Sequence, residues 1–147
     1  MAHFAELKQK TDPTGFTSDL HWVVERVIVV DNKHVSADEA LDGENWCSTF
    51  FGGGTWKQTS YNSNFRKQYA GKGYIFDTAK NKFLTQQPYA SWSLDENDDW
   101  KAPVTYPTDT TDKQISWDED GQKWTAKDFD GNNNYNWDAS ALAWVSA

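Results

Sequence analysis

The chain of 147 residues has one cysteine, one methionine and four prolines, and it lacks any long apolar stretch. The single cysteine, Cys47, makes an intramolecular disulfide impossible and disfavours a cysteine-based zinc site. The longest apolar runs span only a few residues, as at 27–30, which excludes a transmembrane helix. No basic segment followed by an apolar stretch stands at the N-terminus, so we expect no secretory signal.

Basic residues are also scarce: 14 Lys and Arg stand against 22 Asp and Glu, for a formal net charge of −8. The imbalance lies in the second half, because residues 1–74 carry a net −1 and residues 75–147 a net −7. An acidic surface repels a phosphate backbone. We therefore expect no nucleic-acid partner, and with no apolar span we expect no membrane partner.

Aromatic residues are abundant, with nine Trp, eight Phe and six Tyr making up 16% of the chain. Such a composition, interrupted by glycine, favours β-structure over a helical bundle. Strands are predicted at residues 3–8, 21–30, 55–61 and 74–76. The second of these is rich in β-branched residues and apolar on nearly both faces, which predicts a central, buried strand.

One helix is predicted, within residues 36–51. Ser36 and Glu39 have the spacing of a capping box, and the three glycines at 52–54 are expected to end the helix. Gly43 is expected to weaken its middle. The apolar residues at roughly helical spacing are Ala40, Leu41, Cys47, Phe50 and Phe51.

The second half contains a repeated pattern: an aromatic residue or Leu, then Asp, a polar turn, and an aromatic residue. The copies begin at Phe76, Leu94, Trp117 and Trp137, which are separated by 18, 23 and 20 residues. A period near twenty residues is typical of stacked supersecondary units. We interpret the four copies as four β-hairpins in a row.

The third copy defines the register that we expect in all of them. With Asp120-Gly121 as a two-residue turn, Asp118 lies opposite Lys123 and Trp117 opposite Trp124. An opposite-charge pair and an aromatic pair both stabilise a hairpin. The equivalent pairs are Phe76 with Phe83, Trp137 with Trp144, and Leu94 with Trp100 across an irregular loop around Asn97.

These elements predict a mainly β protein with a minor α component. Residues 1–73 are expected to form an N-terminal α+β subdomain of strands and one helix. Residues 74–147 are expected to form the tandem Trp-rich β-hairpin repeats. The sequence leaves open whether the two parts share one core.

Seven strings in this order resemble a family of small proteins encoded by marine T4-like cyanophages and related tailed bacteriophages. They lie at residues 1–7, 27–30, 56–62, 64–66, 69–74, 87–95 and 102–109. The segment at 8–21 is longer than the link usual in the family, and the Asn-rich hairpin at 128–147 looks like an added repeat. The resemblance implies a phage-encoded protein and a minor virion component, and it transfers no catalytic residue.

No arrangement of residues points to catalysis. His3, His21 and His34 have no metal-ligand spacing, and Cys47 is interpreted as a buried small apolar residue. The glycines at 52–54 follow a helix, whereas a phosphate loop precedes one. The carboxylates of the second half match no calcium loop, so turn formation and solubility are the favoured roles. We expect a non-enzymatic protein with no cofactor and no metal site.

The tryptophans admit two compatible interpretations. Paired across hairpins, they form a hydrophobic core, which is the favoured one. Exposed, they form a platform that stacks sugar rings; the hairpins weakly resemble cell-wall choline- and glucan-binding repeats but lack their Gly and Tyr at fixed offsets. The candidate residues for contact with a partner or a glycan are Trp92, Trp100, Trp117, Trp124, Tyr135, Trp137 and Trp144.

The favoured function is that of a virion accessory protein, either capsid decoration or a tail- or fibre-associated part. Such a protein is made in the host cytoplasm, binds phage structural proteins through aromatic anchors, and self-associates as a symmetric dimer or trimer. One alternative is a glycan-binding module for host adsorption, with a host glycan as partner. The other is an intracellular phage factor.

Overall fold

The computed structural model describes residues 1–35 and 38–147, and the chain divides into two compact units, residues 1–86 and 87–147. Both units are built from antiparallel strands. The described residues contain one α-helix, α1 (Glu39–Phe50), and a short 3-10 helix at Asn32–His34. The fold is therefore mainly β, as predicted.

The first unit is built on a five-stranded sheet. Its strands are β1 (Ala2–Thr11), β2 (Leu20–Val30), β3 (Thr55–Thr59), β4 (Ile75–Asp77) and β5 (Lys82–Leu84). The order across the sheet is β3-β1-β2-β4-β5, which confirms the prediction that residues 21–30 form a central strand.

Neighbouring residues of β1 contribute to two hydrophobic clusters. Phe4 is fully buried in a cluster that contains Cys47 of α1. Ala5 is fully buried in another, together with Ala70 from the segment between β3 and β4. Because successive strand residues point to opposite faces of a sheet, α1 covers one face and the segment around Ala70 covers the other.

The helix begins after Asp38, whose carboxylate accepts a 3.0 Å hydrogen bond from the backbone N–H of Leu41. Asp38 is thus the N-cap that the structure describes, while the predicted N-cap, Ser36, lies outside the described residues. The helix ends before the glycines at 52–54, whose φ angles of 74°, 126° and 96° confirm the predicted helix stop.

The second unit contains a four-stranded sheet and a two-stranded ribbon. Its strands are β6 (Ser93–Leu94), β7 (Trp100–Lys101), β8 (Lys113–Asp118), β9 (Lys123–Asp128), β10 (Asn134–Asp138) and β11 (Ala143–Ser146). The order of the larger sheet is β11-β10-β9-β8, and β6 pairs with β7 alone.

The predicted register is confirmed in all four hairpins. Trp117 lies opposite Trp124 and Asp118 opposite Lys123. The other pairs are Phe76 with Phe83, Leu94 with Trp100, and Trp137 with Trp144. The ring centroids of the three aromatic pairs lie 4.9, 5.0 and 5.0 Å apart, within the range of favourable aromatic contact.

The predicted turn at Asp120-Gly121 is wrong in type. A two-residue turn of that kind needs positive φ at both residues, and neither has it; Gln122 has φ of 47° instead. A left-handed residue stands shortly before the second strand of the other hairpins as well, at Asn81, Asp98 and Leu142. All four hairpins therefore share a single left-handed residue near the end of the loop in place of the predicted two-residue turn.

The Asp of the repeated pattern has a common role, which is to cap the turn. The Oδ1 atom of Asp118 accepts a 3.2 Å hydrogen bond from the backbone N–H of Gly121. Asp77 and Asp138 accept the same bond, from the residue three positions on, at 3.0 and 2.9 Å. Asp95, in the shorter hairpin, accepts from the N–H of Asn97, two positions on, at 2.8 Å. A short carboxylate at this position satisfies turn N–H groups that no strand can reach.

The first hairpin, β4–β5, belongs to the first unit. β4 pairs with β2, with Ile75 opposite Val23 and Phe76 opposite Trp22. The predicted division between residues 73 and 74 therefore falls inside this unit, and residues 87–147 hold three of the four hairpins. The pairing between β2 and β4 joins strands distant in sequence, which the repeat pattern does not encode.

Candidate binding site

The structure gives Cys47 the buried position that its interpretation as a small apolar residue predicts. Cys47 is fully buried, and burial raises the pKa of its thiol to about 11, so the thiolate that a nucleophile needs is disfavoured. Within residues 1–35 and 38–147, no three His, Cys, Asp or Glu side chains form a group that could hold a metal ion. No helix in the same part of the chain has the length and apolar character to cross a membrane.

An aromatic row lies along the C-terminal end of α1 in the first unit. It consists of His34, Trp46, Phe50, Phe51 and Trp56, whose successive ring centroids are 4.6, 4.7, 4.9 and 5.0 Å apart. Trp46 and Phe50 are four residues apart and so share one face of the helix. Phe50 is 65% exposed and Phe51 37%, so part of the row is on the surface.

Arg26 of β2 completes this row. Its guanidinium carbon lies 4.4 Å from the ring centroid of Phe51, and its Nε donates a 2.6 Å hydrogen bond to Glu6. The guanidinium is therefore held over the ring by an ion pair on the neighbouring strand. The exposed edge of the first unit thus combines flat aromatic surface with an oriented cation.

The second unit has its own aromatic core. Trp117, Trp124 and Trp137 are each 7% exposed and form one cluster. Trp92 packs against the cluster, with its ring centroid 6.1 Å from that of Trp117 and 5.9 Å from that of Trp124. Three of the seven candidate contact residues, Trp117, Trp124 and Trp137, are therefore core residues, in agreement with the favoured interpretation.

A cavity of about 420 Å³, here called the aromatic groove, opens beside this core. Trp92, just before β6, and Trp100, in β7, line one part of it. Tyr106, in the connection between β7 and β8, and Trp124, in β9, line the rest. Trp124 Nε1 donates a 2.8 Å hydrogen bond to the carbonyl of Val104, which fixes the connection against the core. Three of the predicted contact residues thus meet in one site.

The position of Trp92 is held by a carboxylate on the neighbouring hairpin. Glu119 accepts a 3.1 Å bond from the N–H of Ser91, a short bond from the Ser91 hydroxyl, and a 3.2 Å bond from Trp117 Nε1. The Ser91 hydroxyl is the main cause of the lowered pKa of Glu119. The indole Nε1 of Trp92 is buried without a hydrogen-bond partner among the described residues.

The remaining candidate residues lie outside the aromatic groove. Trp137 lines a neighbouring cavity of about 450 Å³, which shares the segment 103–106 with the groove. Trp144 packs on Trp137 and donates a 2.8 Å bond to the carbonyl of Asp109. Tyr135 donates a 3.1 Å bond to Asp128, and the ammonium of Lys113 lies 4.6 Å from its ring centroid.

Sequence reasoning missed both Tyr106 and the aromatic row. Tyr106 is 53% exposed and lines both cavities. Its signal was its position between Pro103 and Pro107, which mark the connection as an extended, non-sheet segment. The exposure of Phe50 had no signal, because its helical spacing is also that of a core residue.

Comparison of the chain with protein-family models, with curated proteins and with solved structures returns no match. What the chain can bind must therefore be argued from its surfaces. Two aromatic surfaces are candidates for binding: the aromatic row of the first unit and the aromatic groove of the second.

Proposed function

We propose that the chain is a non-enzymatic accessory protein of a phage virion, attached to a capsid, tail or fibre protein through the aromatic row. The observation that carries the proposal is the exposure of Phe50 and Phe51 beside Arg26. Aromatic residues and Arg are the residue types that dominate the energetics of protein–protein interfaces. The phage partner comes from the resemblance of the seven sequence strings.

The arrangement of the row suits an interface. Phe50 and Phe51 stand at the end of a helix that is packed on the sheet through the buried residues Gly43 and Cys47, so the rings have a rigid support. Arg26 lies over Phe51 and is already ion-paired, so little side-chain freedom is left to lose on binding. A preorganised aromatic surface of this kind favours protein attachment over a catalytic role.

The first test is whether the protein travels with intact particles. Purified virions are separated on a density gradient, and head and tail fractions are analysed by mass spectrometry. We expect the protein in one fraction at high copy number, which would also identify the structure it decorates. Its detection only in lysates of infected cells would contradict the proposal and favour an intracellular role.

A rebinding assay tests the surface itself. Purified protein is added back to particles from a phage that lacks its gene, and Phe50→Ser is compared with Leu41→Ser. Leu41 is the matched control, since it is 54% exposed on the same helix and lies outside the row. We expect Phe50→Ser to weaken rebinding by about 30-fold, the effect of losing about 2 kcal/mol at a hot spot. Equal rebinding by both variants would exclude the row as the contact.

A further inference from the structure

We propose that the aromatic groove of the second unit is a binding site for a neutral oligosaccharide. This site is separate from the aromatic row, so the inference goes beyond the proposed function. Its starting point is the chemistry of the lining: Trp92, Trp100, Tyr106 and Trp124 supply aromatic surface, and Ser93 and Thr105 supply hydroxyls. Aromatic walls with a few polar groups are typical of sites for small ligands.

The size of the site favours a ligand of several rings. The groove has a volume of about 420 Å³, within the range of about 300–1,000 Å³ that is usual for ligand sites. The neighbouring cavity adds about 450 Å³ on the same segment, 103–106. A linear oligosaccharide lying against this segment can use both cavities, whereas a single sugar ring would leave most of their lining uncovered.

The charge of the unit selects a neutral ligand. Residues 87–147 contain four Lys and no Arg against twelve Asp and Glu, a net charge of −8. Residues 1–86 contain ten of each sign and have no net charge. A polyanion, whether an acidic polysaccharide or a nucleic acid, is repelled by such a unit. The groove itself is lined by one charged residue, Lys101, and by no carboxylate, so no side chain in it can form an ion pair with a cationic ligand.

Hydroxyl chemistry favours a saccharide over a peptide. A Ser or Thr hydroxyl both donates and accepts a hydrogen bond, and a sugar hydroxyl does the same. Thr105 lines both cavities, and Thr108 lines the neighbouring one. A proline-rich peptide also docks on aromatic grooves but presents mainly carbonyl acceptors, which match hydroxyl pairs less well.

The walls are rigid enough to serve as a preformed site. Trp92 packs against both Trp117 and Trp124, and Glu119 fixes the preceding residue, Ser91. The connection that carries Val104 is bonded to Trp124. Rigid aromatic walls bind with a small loss of conformational entropy.

The test measures binding of neutral hexasaccharides to the full chain by calorimetry and Trp fluorescence. The panel contains hexamers of glucose, galactose, mannose and N-acetylglucosamine in α and β linkage. A hexamer of galacturonic acid serves as the anionic probe and a proline-rich decapeptide as the peptide probe. We expect at least one neutral hexamer to bind, and the anionic hexamer to bind at least about tenfold more weakly, more so at low salt.

Variants locate the site. Tyr106→Ala removes an exposed ring that lines both cavities and should leave the fold intact, whereas Trp100→Ala removes a half-buried one. Each substitution is expected to raise the dissociation constant of the hexamer that binds by about tenfold, which is about 1.4 kcal/mol of binding free energy. Trp144→Ala is the matched control, because Trp144 is half-buried in the same unit and lines neither cavity.

Three results would overturn the inference. The first is that no neutral hexamer in the panel produces heat or a change in Trp emission at millimolar concentration. The second is that Tyr106→Ala binds as tightly as the unsubstituted chain. The third is that the decapeptide binds more tightly than every sugar. None of these results bears on whether the chain travels with particles, so the two proposals can fail separately.

Discussion

Individual residues determine how closely the helix of the first unit approaches its sheet. Gly43 lies in the middle of α1, where helix propensity alone disfavours glycine. A Cβ atom at this position would lie 1.9 Å from Cζ of Phe4, and the Phe4 ring is fully buried. The glycine thus leaves the space that the fully buried Phe4 ring occupies, and this packing offsets the low helix propensity of glycine.

Gly43→Ala is therefore expected to destabilise the first unit. The change should gain about 1 kcal/mol of helix propensity but force the Phe4 ring out of its site, for a net loss of about 1–3 kcal/mol. Urea unfolding followed by circular dichroism at 222 nm reports on α1. Asn45→Ala, on the exposed side of the same helix, is the control and should change stability by less than about 0.5 kcal/mol. A more stable Gly43→Ala variant would contradict the packing argument.

The hairpins are the elements that sequence reasoning describes best. Their register follows from the spacing of two residue types, since Trp117 can meet Trp124 only if Asp118 meets Lys123. The turn type could not be predicted in the same way, because the left-handed residue is Gln122 rather than a glycine. Nor could the partner of a hairpin be read from its repeat: β4–β5 joins β2, through contacts encoded at a distance in the chain.

The candidate site could be predicted less well than the hairpins, because it also depends on contacts between residues that are distant in the chain. Trp92, Trp100 and Trp124 were named as contact residues, but so were Trp117, which lies in the core and lines neither cavity, and Trp137, which lines only the neighbouring cavity. The alternation of residues along each strand shows which side chains lie on the same face of a hairpin. It does not give the path of the connection at 102–106, and that path decides which tryptophans border a cavity.

The capping role of the repeated Asp leads to a prediction for the β8–β9 hairpin. Asp118→Ala removes the acceptor of the Gly121 N–H and is expected to cost about 0.5–1.5 kcal/mol, the usual net value of a hydrogen bond. Asp118→Asn keeps an oxygen acceptor and should cost less. Urea unfolding followed by Trp fluorescence suits the measurement, because six of the nine tryptophans lie in residues 87–147.

Asp120→Ala is the matched control for this prediction, since it removes the same charge from an exposed position in the same turn. It should leave stability nearly unchanged. If Asp118→Ala and Asp120→Ala had equal effects, the carboxylate would be acting through its charge and the capping role would be wrong.

At the scale of the whole molecule, charge is divided as sharply as structure. The first unit has no net charge and the second carries all of the −8. Within the second unit, two carboxylates are nevertheless held in the charged form by hydrogen bonds. The Ser91 hydroxyl lowers the pKa of Glu119, and the Asn133 amide lowers that of Asp128. The acidic unit therefore depends on ionised carboxylates for part of its stability.

This dependence predicts how the second unit responds to acid. Since the pKa of Glu119 is lower in the folded chain than in the unfolded one, its contribution is complete at pH values above about 4.3, the usual pKa of an unfolded Glu. It is lost as the pH falls through the lower, folded-state pKa. Glu119→Gln should therefore lower the melting temperature at pH 7, and its difference from the unsubstituted chain should shrink towards pH 2. Glu96→Gln, an equal change of charge at an exposed position, is the control and should leave the melting temperature at pH 7 nearly unchanged. A difference between Glu119→Gln and the unsubstituted chain that stays constant from pH 7 to pH 2 would contradict the prediction, because ionisation of Glu119 would then not account for its contribution to stability.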